Sequence, residues 1–505
     1  MTGKRKCNPA RWFACWALAL LLTAPAVGAM AATLKIAAGS MPENWGNPFA
    51  STSITRLPLQ SAVFDALTFV DSTGALTPWL ATSWDRTGPT AWTIRLRKNV
   101  TFSNGTALTA AGVVAAFDYL SSEQGKREAV GRELVDIVST KVVDDLSFTL
   151  ETRVPDPLLP YRLSLVTIPE PNLWRAMGRE AFQRAPIGTG PMTLGRVERN
   201  RLELIKNPSS WRKALIEGAT FLILPEPAQR RTALVTGAAD VAITAVLPSE
   251  FDDLRAEGGS ILIDRIPAVV AVAFNTQMFA AFRDARVRRA ITHAVNREAI
   301  VAAIMGGETV VASQPAGRSW FGYNPDLKPL AYDPDKARAL LHEAGYEKGF
   351  AFEFLFPSGA VAYPDVFQTV AADLARVGIV MTSRSVPQQK LFENIQTGVW
   401  DAPAAAIPFS TPVFDALYPQ RQHSCLWHAP WFCDRDFSDG VAAAFNEGDT
   451  ERRRAATQAL MARAHDMAQA LFLYETVSFT GLGPRVEAFP MDFSFIRYEG
   501  VKLKD

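Results

Sequence analysis

Residues 365–386 read DVFQTVAADLARVGIVMTSRSV, and this stretch decides the fold class. Val366, Val370, Leu374 and Val377 recur at helical spacing behind Asp365, a good N-cap residue, so a helix is predicted with those four side chains inward. Gly378 ends it, and Ile379 to Val386 follows at once as a strand. The same alternation extends on the N-terminal side. Asp284 can cap a helix with Val287, Ile291, Ala294 and Val295 on one face. Asp333 followed by Pro334 is an N-cap with proline at the first helical position, and Gly345 closes that helix. Helices and strands thus alternate from about residue 284 to 400, which predicts an α/β lobe.

Nearer the N-terminus the pattern is richer in strands and turns. Leu34 to Ala37 reads as a first strand, followed by a loop from Gly39 to Pro48 rich in Gly, Pro and Asn. Trp92, Ile94 and Leu96 alternate with polar residues as in a strand, and Asn104-Gly105 is a tight-turn signal. Thr109 can cap a helix with Val113, Val114, Phe117 and Leu120 inward. Val142-Val143, Asp144-Asp145, then Leu146, Phe148 and Leu150 read as a hairpin.

A chain of 505 residues exceeds one compact core and suits two or three domains. Its 48% hydrophobic and 20% charged residues can bury large cores, and no low-complexity tract or solenoid repeat is evident. The start is a separate matter. Lys4, Arg5, Lys6 and Arg11 precede an apolar run from Trp12 to Leu22, then small residues with Ala29-Met30-Ala31 as an A-x-A cleavage site. This is the three-part pattern of a secretory signal peptide over residues 1–31, too short in its apolar part to span a bilayer. No later run reaches eighteen apolar residues, so a soluble mature protein is expected. Four of the 52 Lys and Arg residues, and none of the 51 Asp and Glu, lie in that segment, leaving 48 basic against 51 acidic, or about −3. That balance gives no reason to expect a nucleic-acid partner.

Two cysteines remain after residue 31, Cys425 and Cys433. An oxidising compartment favours a disulfide between them. Two free thiols, or a metal site with His423 and His428, are the alternatives the residues leave open, and no metal is expected because the ligand spacing is loose. Catalytic signatures are absent: no G-x-S-x-G elbow, phosphate loop, H-E-x-x-H or C-x-x-C occurs. Gly188-Thr189-Gly190-Pro191 resembles the start of a dinucleotide loop but lacks the third glycine, and reads as a chain-crossing turn. The five histidines are scattered, so neither an enzyme nor a cofactor is expected.

Several segments resemble family 5 of the extracellular solute-binding proteins, the peptide/nickel/opine class of ABC importer receptors. They are Val63-Phe64-Asp65-Ala66-Leu67, Leu76 to Trp84, Thr90 to Gly105, and the turn at Pro186 to Pro191. Ala285 to Ile300 is similar to the family's R-V-R-x-A-x-x-x-A-x-x-R-E-x-I helix, and Tyr332 to Tyr346 to its Y-D-P-x-K-A segment. The resemblance implies a two-lobed periplasmic binding protein fold with an extra small domain and a hinge. Residues 33–57, 185–266 and 481–505 would form lobe I, 58–184 the small domain and 267–480 lobe II, with crossings near Pro267 and Gly481. It implies a monomer in the periplasm that captures a peptide or other small molecule between its lobes and delivers it to ABC permease subunits in the inner membrane. A solute sensor or chaperone of the same fold, or more remotely a secreted hydrolase, are the alternatives.

By position in that resemblance the ligand-binding candidates are Met41, Asn44, Trp45, Asn275, Arg318, Tyr363, Phe409 and Ser410. Trp45 and Phe409 could equally be core aromatics, Asn275 a strand-end cap, and Arg318 and Tyr363 surface residues. Dipeptide receptors of the family place an aspartate just after the aromatic wall at Phe409, whereas here Asp415 falls late. They also use an arginine in the loop before the Asp365 helix, and Pro357 to Tyr363 has none. Nickel receptors use an arginine roughly where Leu165-Val166-Thr167 stands. A zwitterionic dipeptide and a nickel chelate are therefore not the expected ligands, since an unpaired charge in a dry cleft is costly.

Overall fold

The computed structural model describes residues 2–3, 33–41 and 44–504. Residues 4–31 of the expected signal peptide, cleavage site included, lie outside the described residues. The predicted alternation after residue 284 is what builds the second half. Phe350–Pro357 lies parallel to both Ile379–Val386 and Ala404–Ala406, with helices between them. Asp284 accepts from the Arg286 N–H at 2.8 Å, and Asp333 from the Lys336 N–H at 2.9 Å, so both caps form. The helix expected to start at Asp365 instead runs Tyr363–Ala375. Pro364 supplies the fixed φ of the first turn and no side-chain cap is used, so Asp365 sits inside that turn. Val366, Val370, Leu374 and Val377 are buried as expected.

In the first half, Thr33–Ala38 is parallel to Gly218–Ile223 and Val241–Ala242. Two long antiparallel strands, Ser260–Phe274 and Ala470–Leu482, join the halves into one eleven-stranded mixed sheet. Their register runs Ser260↔Leu482 to Arg265↔Val477, breaks, and resumes at Val269↔Glu475. Ile266, Pro267 and Ala268 thus face Thr476 alone. Pro267 has no N–H to give to the ladder, which accounts for the slip.

A separate four-stranded antiparallel sheet takes, in spatial order, Ala81–Arg86, Ala91–Leu96, Ser147–Thr152 and Ile137–Asp144. The helix Ala110–Ser121, capped by Thr109, covers it with Val113, Phe117 and Leu120. This unit is fastened to the first half by Asp65, which is fully buried. Asp65 accepts from Trp79 Nε1 at 2.8 Å, Thr189 Oγ1 at 2.7 Å, Trp211 Nε1 at 2.9 Å and Arg212 Nε at 2.8 Å. The Gly188–Gly190 turn carries Thr189 there. A Cβ on Gly188 would sit 2.0 Å from the Val63 carbonyl oxygen, so only glycine admits that approach. Among the described residues no helix is long and apolar enough to cross a membrane.

Candidate ligand site

In parallel sheets, ligands gather beyond the carboxyl ends of the strands. Here Thr33–Ala38 ends at Gly39-Ser40 and Phe350–Pro357 leads into Ala360–Tyr363, and both loops line one cavity of about 410 Å³ at the waist. Ile266, Val270, Tyr474, Thr476 and Ser478 of the joining strands also line it. Its size falls in the usual range for small-molecule sites.

The cavity is mostly apolar, and its polar groups are few. Tyr474, Thr476 and Ser478 alternate along one strand, so they share a face. Thr476 Oγ1 is buried with no hydrogen-bond partner among the described residues. Ser478 Oγ lies 2.8 Å from Thr244 Oγ1 across the waist. Burial pushes the Tyr363 hydroxyl up to about 12 and raises that of Tyr474, which also feels Tyr363, so both stay protonated. Arg230 is the one charged residue among those lining it. Its Nε donates to the Ile243 carbonyl at 3.0 Å, Nη1 to Leu224 at 2.9 Å and Pro225 at 2.7 Å, and Nη2 to Thr244 at 2.7 Å. Among the described residues no histidine, lysine or carboxylate lines the cavity, so none of them stands beside its hydroxyls as a general base. The arrangement can hold a molecule.

Of the eight residues singled out in the sequence, Tyr363 reaches this cavity. Arg318 stands in an adjoining depression of about 290 Å³ that shares Ile266, Thr476 and Val477 with it. Arg318 N and Nε both lie 3.1 Å from Glu475 Oε1. Trp45 is 7% exposed and belongs to the core of the first half, as does the half-buried Met41 packed on it. Asn44 is exposed, with φ of 61°. Asn275 is a buried strand-end cap, its Oδ1 accepting from the Gln277 and Met278 N–H groups at 3.1 and 3.0 Å. Phe409 is fully buried, stacked on His423 at 3.7 Å and edge-on to Phe472 at 5.3 Å. Ser410 is exposed beside it, paired with Ala268.

Asp415 is also engaged. Arg453 Nη2 donates to its Oδ2 at 2.7 Å with both side chains buried, and its Oδ1 accepts from the Leu417 N–H. Cys425 and Cys433 form the expected disulfide. It closes a loop that places Trp431 and Phe432 in a core cluster with Trp400 and Leu391. His423 has its Nε2 buried without a partner among the described residues and its pKa lowered by burial to about 3, so it is a neutral packing residue. Among the described residues no three His, Cys, Asp or Glu side chains gather to hold a metal ion.

A profile of the bacterial extracellular solute-binding proteins, family 5 (middle), matches residues 75–423. The chain belongs to that family. It is 27% identical to the dipeptide-binding protein of Escherichia coli K12 over 520 residues, 94% of this chain and 95% of the relative. It is 25% identical to the nickel-binding periplasmic protein of the same organism over 448 residues, 81% and 83% of the two chains. NikA from Brucella suis, solved with Fe(III)-EDTA, superposes with a TM-score of 0.79 at 23% identity, over 94% of this chain and 100% of its own. The two-lobed binding-protein fold and the role of an ABC importer's solute-binding component follow, and family 5 members are binding proteins rather than enzymes. Sequence reasoning missed Arg230, Tyr474, Thr476 and Ser478. The hydroxyl alternation at 474, 476 and 478 was the available signal for three of them.

Proposed function

We propose that this family 5 protein works in the periplasm, exported by residues 1–31, and captures one small solute at its waist as a monomer before passing it unaltered to the permease. One observation carries the reading: loops from the carboxyl ends of parallel strands in both halves meet at one cavity with no acid–base pair among the described residues of its lining. Residues 33–57, 185–266 and 481–505 act as lobe I, 58–184 as the small domain and 267–480 as lobe II. Bending is concentrated where Ile266–Ala268 face Thr476 without regular pairing. Tyr363 and, through the adjoining depression, Arg318 touch solute, while Met41, Asn44, Trp45, Asn275, Phe409 and Ser410 support the walls around it.

A free dipeptide or a nickel chelate suits this site poorly. Asp415 is occupied by Arg453, and the 357–363 loop offers no cation. A peptide derivative or another small, weakly charged solute is the better match. Native mass spectrometry of protein purified from the periplasm will show one bound mass, and scattering will show a smaller radius of gyration when that compound is added back. Turnover of the compound, or an unchanged solution shape, refutes the reading.

A further inference from the structure

Arg230 is 4% exposed and lines the cavity from the first half. Its four hydrogen bonds all go to backbone carbonyls, and it makes no ion pair among the described residues. Carbonyl dipoles stabilise a guanidinium without cancelling its charge. One of its five N–H groups is also left over. The cost of this burial shows in its pKa, lowered by desolvation and only partly restored by Glu226, the N-cap residue of its own helix Pro227–Val235. Gly39 exposes the guanidinium: a Cβ there would lie 2.9 Å from Nη1. The Ser40 hydroxyl, next in the same wall, has no partner among the described residues. The rest of the lining is uncharged, with hydroxyls such as those of Thr476 and Ser478 set among Val246, Leu247, Ile266, Val270, Val361 and Phe479.

Among the described residues the wall thus carries one positive charge and no negative one. A carboxylate beside Arg230 would form a charge-assisted pair. An ammonium would find no counter-charge and would be repelled. We propose that the solute is a small monoanion with an apolar body and no free amino group, its carboxylate held by Arg230 beside Gly39 and Ser40. This rests on the solute-capture reading above and names the class of solute.

The test uses the full mature protein and three probes: N-acetylated alanyl-leucine, its C-terminal amide, and the unblocked dipeptide, each titrated calorimetrically. The blocked acid should bind roughly ten- to hundredfold tighter than its amide, the range for one hydrogen-bonded charge. Arg230→Gln should erase that ratio. Should Arg230→Gln melt early for want of its carbonyl contacts, Gly39→Ala gives a second reading: its methyl crowds Nη1 and should shrink the ratio. Equal affinity for acid and amide, tightest binding of the unblocked dipeptide, or no binding by any of the three overturns the inference while leaving capture of some other solute standing. Consumption of any probe overturns the capture reading itself.

Discussion

Replacing Asp65 by Asn tests whether one carboxylate fastens the small domain to the first half. The side chain is fully buried and accepts four hydrogen bonds, two on each oxygen: Trp79 and Arg212 on Oδ1, Thr189 and Trp211 on Oδ2. Asn keeps one accepting oxygen. Its amide nitrogen would then face two donors, and the 3% exposed Arg212 side chain would lose its buried partner. Removing one member of a buried pair costs about 3–5 kcal/mol. Arg212 retains Glu499 at 2.9 Å, a partner 27% exposed, so the loss should lie near the low end, about 3 kcal/mol. Urea unfolding followed by tryptophan fluorescence reads it well, since Trp79 and Trp211 both donate to Asp65. The midpoint should fall at unchanged slope. A midpoint shift worth under about 0.5 kcal/mol for Asp65→Asn would refute the reasoning, since that is the scale of an ordinary surface change.

His423 predicts a pH dependence. Its folded pKa is depressed to about 3, so below about pH 6.5 the unfolded chain binds the extra proton and stability falls on acidification towards pH 3; melting curves of His423→Leu should lose that limb. Asp264 acts in the opposite sense, since burial raises its pKa to about 7, and Asp264→Asn should remove a loss of stability between about pH 4 and 7. Removing the disulfide with Cys425→Ser and Cys433→Ser, eight residues apart, should cost about 2.5 kcal/mol in denaturant unfolding without abolishing the fold. Tyr418 donates to Glu133 at 2.7 Å, tying the second half to the small domain, so Tyr418→Phe should shift small-angle scattering toward a more extended form in the absence of solute.

The sequence was most legible where local chemistry decides structure. Asp284 and Asp333 cap the helices they were expected to cap, because an Asx side chain meets the free N–H two or three residues on whatever surrounds it. The Tyr363 helix starts two residues early because proline and aspartate compete to set its first turn, and proline prevailed. The cavity was far less readable. Arg230 is held by carbonyls at residues 224, 225, 243 and 244, and backbone acceptors leave no mark in a sequence. Arg318 meets a glutamate 157 positions away. For Trp45 and Phe409, period and composition identify a large apolar side chain but not the direction it faces. Tyr474, Thr476 and Ser478 sit within a run whose apolar neighbours mark it as a buried strand, and that masked their shared face.

The missing rungs at Ile266–Ala268 have a mechanical consequence. A two-stranded ribbon is stiff against sliding in its own plane, because sliding breaks several hydrogen bonds together. It is soft to folding across a line where its two strands exchange none. If the halves bend as proposed, they would move like the covers of a book on a single spine, with one dominant angle and little lateral play. Because Ile266 and Thr476 of that line also form part of the cavity wall, a solute held there would lie against the axis and sense the angle directly.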